Sequence, residues 1–236
     1  MKKAKLIHLL LVICTIMMCT SCNSGSKQSE TQKVDLGSIT KNDSAGSENE
    51  VSIDELTTVT GTFTFAKLGQ VTFEVYPQYA PQSALNFLYL AQNGCFNGVI
   101  TDRIQNGFTV EMGKYLQDYV EAEMPGGMYS IKGEFPDNGV ENPLSVAKGM
   151  LLWCRDYDDP DSAQNEFMIC LDTAACQSLQ GKYAPFGKIT GDGMEIIGKI
   201  GTRKVNEHNR PKNPVLLLTV ELDSEVIFPA PDMIRK

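Results

Sequence analysis

A run of alternating apolar and polar residues begins at Thr58 and continues through two segments separated by a glycine. It reads TVTGTFTFAKLGQVTFEVYP over residues 58–77, and the alternation holds on both sides of Gly69. Because successive side chains of a β-strand point to opposite faces, this period of two indicates strands that bury one face. A glycine between two such runs is typical of a turn. The sequence therefore predicts a β-hairpin at the start of the folded region.

Two helices and several further strands are predicted after the hairpin. APQSALNFLYLAQNG places Pro81 in a first turn, has apolar residues at helical spacing and ends at Gly94. GMEIIGKIG predicts a second, shorter helix. The strand-like runs are GFTVEMG, MLLWC, NEFMICL, YAPFGKIT and PVLLLTVEL. Many short strands with two helices predict a mainly β fold, a closed antiparallel barrel capped by two helices.

The amino terminus has the pattern of an export signal. MKKAKLIHLLLVICTIMMCTSC starts with basic residues and continues with an apolar run that is short for a spanning helix of ~20 residues. Its ending, CTSC, resembles the lipobox of bacterial lipoproteins. That resemblance implies a signal peptide over residues 1–21 and lipidation of Cys22, which would anchor the protein to the outer face of a bacterial membrane. An ordinary secretory signal is the alternative.

The remaining boundaries follow from composition. Residues 22–56 are rich in Ser, Gly, Asn and acidic residues and lack a sustained apolar period, which predicts a flexible tether. The folded domain is then expected over residues 57–225. Residues 226–236 form a tail for which a surface extension is the expectation.

The charge balance and the metal-ligating residue types limit the function classes. The chain has 21 basic and 29 acidic residues, a net charge of −8, which argues against nucleic acid as a partner. Of two histidines, only His208 lies beyond the predicted signal, and no C-x-x-C spacing is present. The acidic loop DYDDPDS, residues 156–162, lacks the Gly and Glu of a calcium-binding EF-hand. We therefore expect neither a metal nor a cofactor.

Four segments resemble the cyclophilin family of peptidyl-prolyl isomerases, in the correct order, over roughly residues 58–222. The first contains the family's Ala-Pro and Asn-Phe pairs, and the last contains its Phe-Gly-Lys triplet, Phe186 to Lys188. The segments are GQVTFEVYPQYAPQSALNFLYLAQNGCFNGV, TDRIQNGFTVEMGK, SAQNEFMI and LQGKYAPFGKITGDGMEII.

By position, the resemblance implies that Arg103 is the catalytic arginine. It also implies a proline pocket formed by Phe108, Met168, Leu179 and Tyr183, in which Met168 stands in place of a Phe and Tyr183 in place of a His. Without the resemblance, these apolar residues would be assigned to the core and Arg103 to the surface.

The residues around the arginine depart from the family pattern. Glu111 and Glu166 take the places of two glutamines, and Cys154 and Arg155 those of an Ala and an Asn that line the peptide groove. Asp102 stands in place of a His. Ser178 stands in place of a Trp associated with cyclosporin binding, so we expect poor cyclosporin sensitivity.

The resemblance predicts a prolyl cis-trans isomerase that assists the folding of exported proteins. An arginine that donates toward the prolyl nitrogen favours the twisted amide without a nucleophile, a metal or a general base. Its partners would be proline-containing segments of exported or surface proteins. The alternative is a catalytically weak or inactive module that binds proline peptides as a chaperone, which Glu111, Glu166 and Met168 favour.

Overall fold

The computed structural model of the chain describes residue 52 and residues 55–235. The predictions for residues 1–21, for Cys22 and for most of the tether therefore lie outside the described residues. In chain order the elements are β1 (Val59–Phe65), β2 (Gly69–Val75), α1 (Pro81–Gln92), β3 (Thr101–Gln105), β4 (Thr109–Met112), β5 (Met150–Trp153), β6 (Phe167–Cys170), α2 (Thr173–Cys176), β7 (Pro185–Ile189), α3 (Gly193–Gly201) and β8 (Leu217–Leu222).

The strands of the described region form one antiparallel sheet in the order β3-β4-β6-β5-β7-β2-β1-β8. The predicted hairpin is confirmed as β1 and β2, which pair from Val59 with Val75 to Phe65 with Gly69. Gly69 has a φ of 106°, a conformation that favours glycine at this turn. Each of the five other predicted strand segments contains one of the strands β4 to β8. The mainly β, antiparallel fold class is therefore confirmed.

The prediction of a closed barrel is not confirmed, because the sheet is curled but open between β3 and β8. The two edges approach each other at an isolated antiparallel bridge between Ile100 and Leu216, just before the two strands. Beyond this bridge, Pro214 lacks the N–H that a continued ladder needs.

The predicted helices are confirmed as α1 and α3, and α1 begins at Pro81 as expected. Glu134 accepts hydrogen bonds from the backbone N–H groups of Gln82 and Ser83, at 3.0 and 2.7 Å, which satisfies two free donors of the first turn. The short helix α2 was not predicted; Asp172 caps it by accepting from the N–H of Ala175. None of the helices in the described ranges is long and apolar enough to cross a bilayer.

The main core lies under the sheet and is rich in aromatic rings. Phe87 of α1 packs edge-on against Phe73 and Phe167, with ring centroids 5.5 Å apart in both pairs. Phe228 lies in the segment that was predicted from the sequence to be a tail, and it is also buried in this core. Its N–H donates to Gln92 Oε1 at 2.9 Å, so residues around 228 are held against α1.

Candidate functional site

Strands β3, β4, β6 and β5 carry two parallel rows of paired residues. One row is Ile104, Val110, Ile169 and Leu151, all fully buried in the main core; we call it the core row. The next row is Arg103, Glu111, Met168 and Leu152, which we call the site row. Because neighbouring residues of a strand point to opposite faces, burial of the core row places the site row on the other face.

An ion pair joins the first two members of the site row. Arg103 Nη1 donates to Glu111 Oε1 at 2.5 Å, and Thr109 Oγ1 donates to the same oxygen at 3.0 Å. The Arg103 side chain is 40% exposed and that of Glu111 only 8%. Burial raises the pKa of Glu111, although the charge of Arg103 opposes the increase. The guanidinium is therefore fixed by a largely buried carboxyl group.

A β-bulge brings another carboxyl group to the same place. Between Thr101 and Arg103 the register shifts, so Asp102 is the additional residue of the bulge. Asp102 is 5% exposed and its Oδ1 atom has no hydrogen-bond partner in the described part of the chain. Burial raises the pKa of Asp102, and the neighbouring carboxyl group of Glu166 raises it further. We call Asp102, Glu111 and Glu166 the acidic wall.

The predicted pocket residues lie together in a second, smaller apolar cluster, which we call the pocket cluster. Its buried members are Val146, Met150, Leu152, Met168, Cys170, Cys176 and Leu179, and Phe108, Leu144, Ala147, Cys154 and Tyr183 pack against it. Phe108 is held there because its carbonyl oxygen accepts from Leu171 N–H at 2.8 Å and from Cys176 Sγ at 3.2 Å. The structure thus brings Phe108, Met168, Leu179 and Tyr183 into one cluster.

Arg155 is held by aromatic rings and backbone oxygens. Its guanidinium carbon lies 4.7 Å from the ring centre of Tyr183 and 5.1 Å from that of Phe135. Its Nε donates to the carbonyl oxygen of Lys182 at 3.0 Å, and its Nη1 donates to two further carbonyls at 2.8 Å. This arginine therefore orients Tyr183 at the edge of the pocket cluster.

Two cavities flank Glu166. One, of about 480 Å³, is lined by Glu111, Cys154, Arg155 and Glu166 among others. Burial raises the pKa of the Cys154 thiol, and the carboxyl groups of Glu111 and Glu166 add to this effect.

The other cavity, of about 550 Å³, contains both the arginine and the bulged aspartate. Its lining is Asp102, Arg103, Lys114, Tyr115, Glu166, His208 and Arg210. Sequence analysis did not assign Lys114, His208 or Arg210 to the site. They reach it through loops, and no local pattern marks them.

A glycine permits the close approach of the segments that carry these acids. Gly113 follows β4 with a φ of 114°, and a side chain there would collide with the backbone oxygen of Asn165. Asn165 immediately precedes Glu166. Substitution of Gly113 would therefore displace Glu166 from Glu111.

Residues 57–222 match the model of the family described as cyclophilin type peptidyl-prolyl cis-trans isomerase/CLD. The chain belongs to the cyclophilin family. Among curated relatives, the peptidyl-prolyl cis-trans isomerase-like 1 of Emericella nidulans is 33% identical over 162 residues, 67% of this chain and 93% of the relative. A peptidyl-prolyl cis-trans isomerase of Acinetobacter baylyi is 30% identical over 164 residues, 66% of this chain and 82% of the relative.

A solved cyclophilin also shares the fold. The crystal structure of a Cryptosporidium parvum cyclophilin type isomerase superposes with a TM-score of 0.60 at 19% identity, covering 71% of this chain and 99% of that one. Family membership assigns this cyclophilin to the peptidyl-prolyl cis-trans isomerases.

Proposed function

We propose that this cyclophilin isomerises prolyl bonds with Arg103 as the group that stabilises the twisted amide. The observation that carries the proposal is the site row, in which Arg103, Glu111 and Met168 are paired across adjacent strands. A proline ring against Met168 and the pocket cluster would lie beside the guanidinium. The functional groups therefore come from one rigid sheet.

The chemistry needs only a hydrogen-bond donor and an apolar surface. Resonance gives the prolyl bond a rotation barrier of ~18–20 kcal/mol, and resonance is lost in the twisted state. The lone pair then resides on nitrogen and can accept a hydrogen bond from Arg103. A guanidinium has five N–H donors, and the ion pair with Glu111 uses Nη1. Each ~1.4 kcal/mol of stabilisation specific to the twisted state gives a tenfold acceleration.

A second candidate function is a proline-binding module with little catalysis. It is favoured by the 2.5 Å ion pair between Arg103 and Glu111, because this contact restrains the guanidinium as it approaches the substrate. It is also favoured by the burial of Met168, at 4% exposed, and Leu179, at 8% exposed, since a proline ring must displace neighbouring side chains to touch them. These departures make the active site a divergent one for the family.

Charge on the substrate would matter at this site. Glu111 and Glu166 face the cavity of about 480 Å³, whereas the Arg155 donors there are engaged by backbone oxygens. We therefore propose a preference for proline segments with a neighbouring basic residue. The clients would be exported or surface proteins, reached from a membrane anchor at Cys22. Labelling with a fatty-acid analogue that is lost in Cys22→Ala tests the anchor.

Prolyl exchange spectroscopy separates the two functions. Two-dimensional NMR of short Xaa-Pro peptides is recorded with the full chain in detergent micelles and with its Arg103→Ala and Arg203→Ala variants. Arg203 donates to the backbone oxygen of Asn213 and lines neither of the cavities beside Glu166, which makes it a matched control. Accelerated exchange that is lost only in Arg103→Ala supports the isomerase. Peptide shifts without acceleration support the binding module and reject the catalytic role.

A further inference from the structure

Three potential metal ligands meet in the cavity of about 480 Å³. One carboxylate oxygen each of Glu111 and Glu166, and the Sγ of Cys154, lie within 4.8 Å of one another. They come from three places in the chain: Glu111 from β4, Cys154 from the residue after β5, and Glu166 from the residue before β6. Cys154 N–H donates to the Glu166 carbonyl oxygen at 2.9 Å, which fixes two of these backbones relative to each other.

Asp102 supplies an independent observation that points to a ligand. Its side chain is more than nine-tenths buried, and its Oδ1 has no hydrogen-bond partner in the part of the chain that the structure describes. The Asp102 carboxyl group lies against that of Glu166 and near that of Glu111. The Asp102 carboxyl group also makes a hydrogen bond with that of Glu166. A buried carboxyl oxygen without a partner is unfavourable, and a cation bound at the neighbouring Glu166 would reduce this cost.

We propose that Glu111, Cys154 and Glu166 bind a divalent transition-metal ion of the zinc class, with water as the fourth ligand. A thiolate with carboxylates suits Zn²⁺ and disfavours Mg²⁺ and Ca²⁺, which take oxygen ligands. Bonds of ~2.0–2.3 Å in a tetrahedron place ligand atoms about 3.3–3.8 Å apart, which a small inward rotation of the glutamates can reach from separations of at most 4.8 Å. Binding releases the thiol proton to solvent.

This proposal departs from our expectation from the sequence, which rested on the scarcity of histidine and the lack of C-x-x-C. Ligands separated by 43 and 12 residues become neighbours only through the β4, β5 and β6 register. A bound ion would engage Glu111 and place positive charge near Arg103. The metal-loaded form is therefore expected to bind proline peptides less well.

Cobalt spectroscopy tests the metal site without reference to isomerase activity. Co²⁺ alone is titrated into the metal-free full chain, in which Cys14, Cys19 and Cys22 are replaced by Ser so that only thiols of the domain can respond. We expect one ion per chain and a near-ultraviolet absorption band from thiolate-to-cobalt charge transfer. The band should disappear in Cys154→Ser. It should persist in Cys95→Ser and Cys176→Ser, which remove buried thiols elsewhere.

Glu166→Gln keeps the proposal testable if Cys154→Ser does not fold, as judged by circular dichroism. Glu166 is only partly buried, and the substitution should weaken Co²⁺ binding at least tenfold. A wild-type chain without a thiolate band would overturn the proposal. So would a band that is lost in Cys176→Ser and kept in Cys154→Ser, because that result assigns the ion to the thiol pair Cys170 and Cys176. Unchanged Co²⁺ binding in Glu166→Gln would also overturn the proposal.

Discussion

The core row and the site row cross the same four strands, one residue apart, yet their chemistry differs at the end that β3 and β4 supply. The core row is Ile104, Val110, Ile169 and Leu151, four aliphatic side chains that are fully buried. The site row starts with a charged pair and becomes apolar only at Met168 and Leu152. One sheet register therefore serves both stability and chemistry, because a strand assigns alternate residues to opposite faces.

The largest effect is expected from deleting a member of the core row. Ile169→Ala should lower the free energy of unfolding by about 4 kcal/mol, since the rigid main core cannot fill the cavity. Met168→Ala, the neighbour in the site row, should cost about 2 kcal/mol because the pocket cluster can adjust. Denaturant titration with both variants measures the difference. Equal losses would mean that the two rows are equivalent parts of one core.

Arg103→Lys probes the charged end of the site row. Lysine keeps the charge but loses the planar set of donors, so kcat/KM for a prolyl peptide should fall about ten- to hundredfold, with KM nearly unchanged. The unfolding free energy should stay within about 0.5 kcal/mol. Arg203→Lys is the matched control and should leave kcat unchanged. A change confined to KM would show that Arg103 only binds substrate.

Asp102→Asn tests whether the acidic wall lowers stability. Because burial raises the pKa of Asp102, its ionisation is disfavoured in the folded state. The contribution of this group is fully present below its ordinary pKa and is lost as the pH rises through the folded value. The variant should match the wild type near pH 3 and be more stable by about 1–3 kcal/mol near pH 8. Denaturant titrations at both pH values decide; a constant difference would rule out titration as the cause.

The smallest expected effect concerns the restraint on the arginine. In a buffer that contains a chelator, Glu111→Gln combined with Glu166→Gln should raise kcat/KM up to about tenfold, because an amide holds the guanidinium less strongly than a carboxylate. The preference for basic peptides should disappear. Glu195→Gln with Glu207→Gln makes the same change in net charge at exposed positions. Unchanged or reduced activity would show that the acids support the arginine rather than restrain it.

Local features of the fold could be predicted from the sequence, and long-range ones could not. The hairpin of β1 and β2 has strict alternation, and α1 has a proline start and a helical apolar period. Helix α2 spans only Thr173–Cys176, too short to show a period. The alternation marks neither the open edge between β3 and β8 nor the bulge between Thr101 and Arg103.

The candidate site also contains some residues that could be predicted from the sequence and some that could not. The resemblance proposed Arg103, Phe108, Met168, Leu179 and Tyr183, and the structure places the four pocket residues in one cluster near the arginine. The bulge that buries Asp102 and the approach of Cys154 to Glu111 depend on register and on loop paths. No spacing in the sequence encodes such contacts.

The pairing of β1 with β8 has a consequence for folding during synthesis. Gly61 pairs with Leu222, so the first strand of the sheet hydrogen-bonds with the last. During synthesis, β1 and β2 emerge long before β8 is available. One edge of the hairpin therefore remains unpaired until most of the domain has been synthesised. A cyclophilin of this architecture is itself exposed to aggregation in that interval.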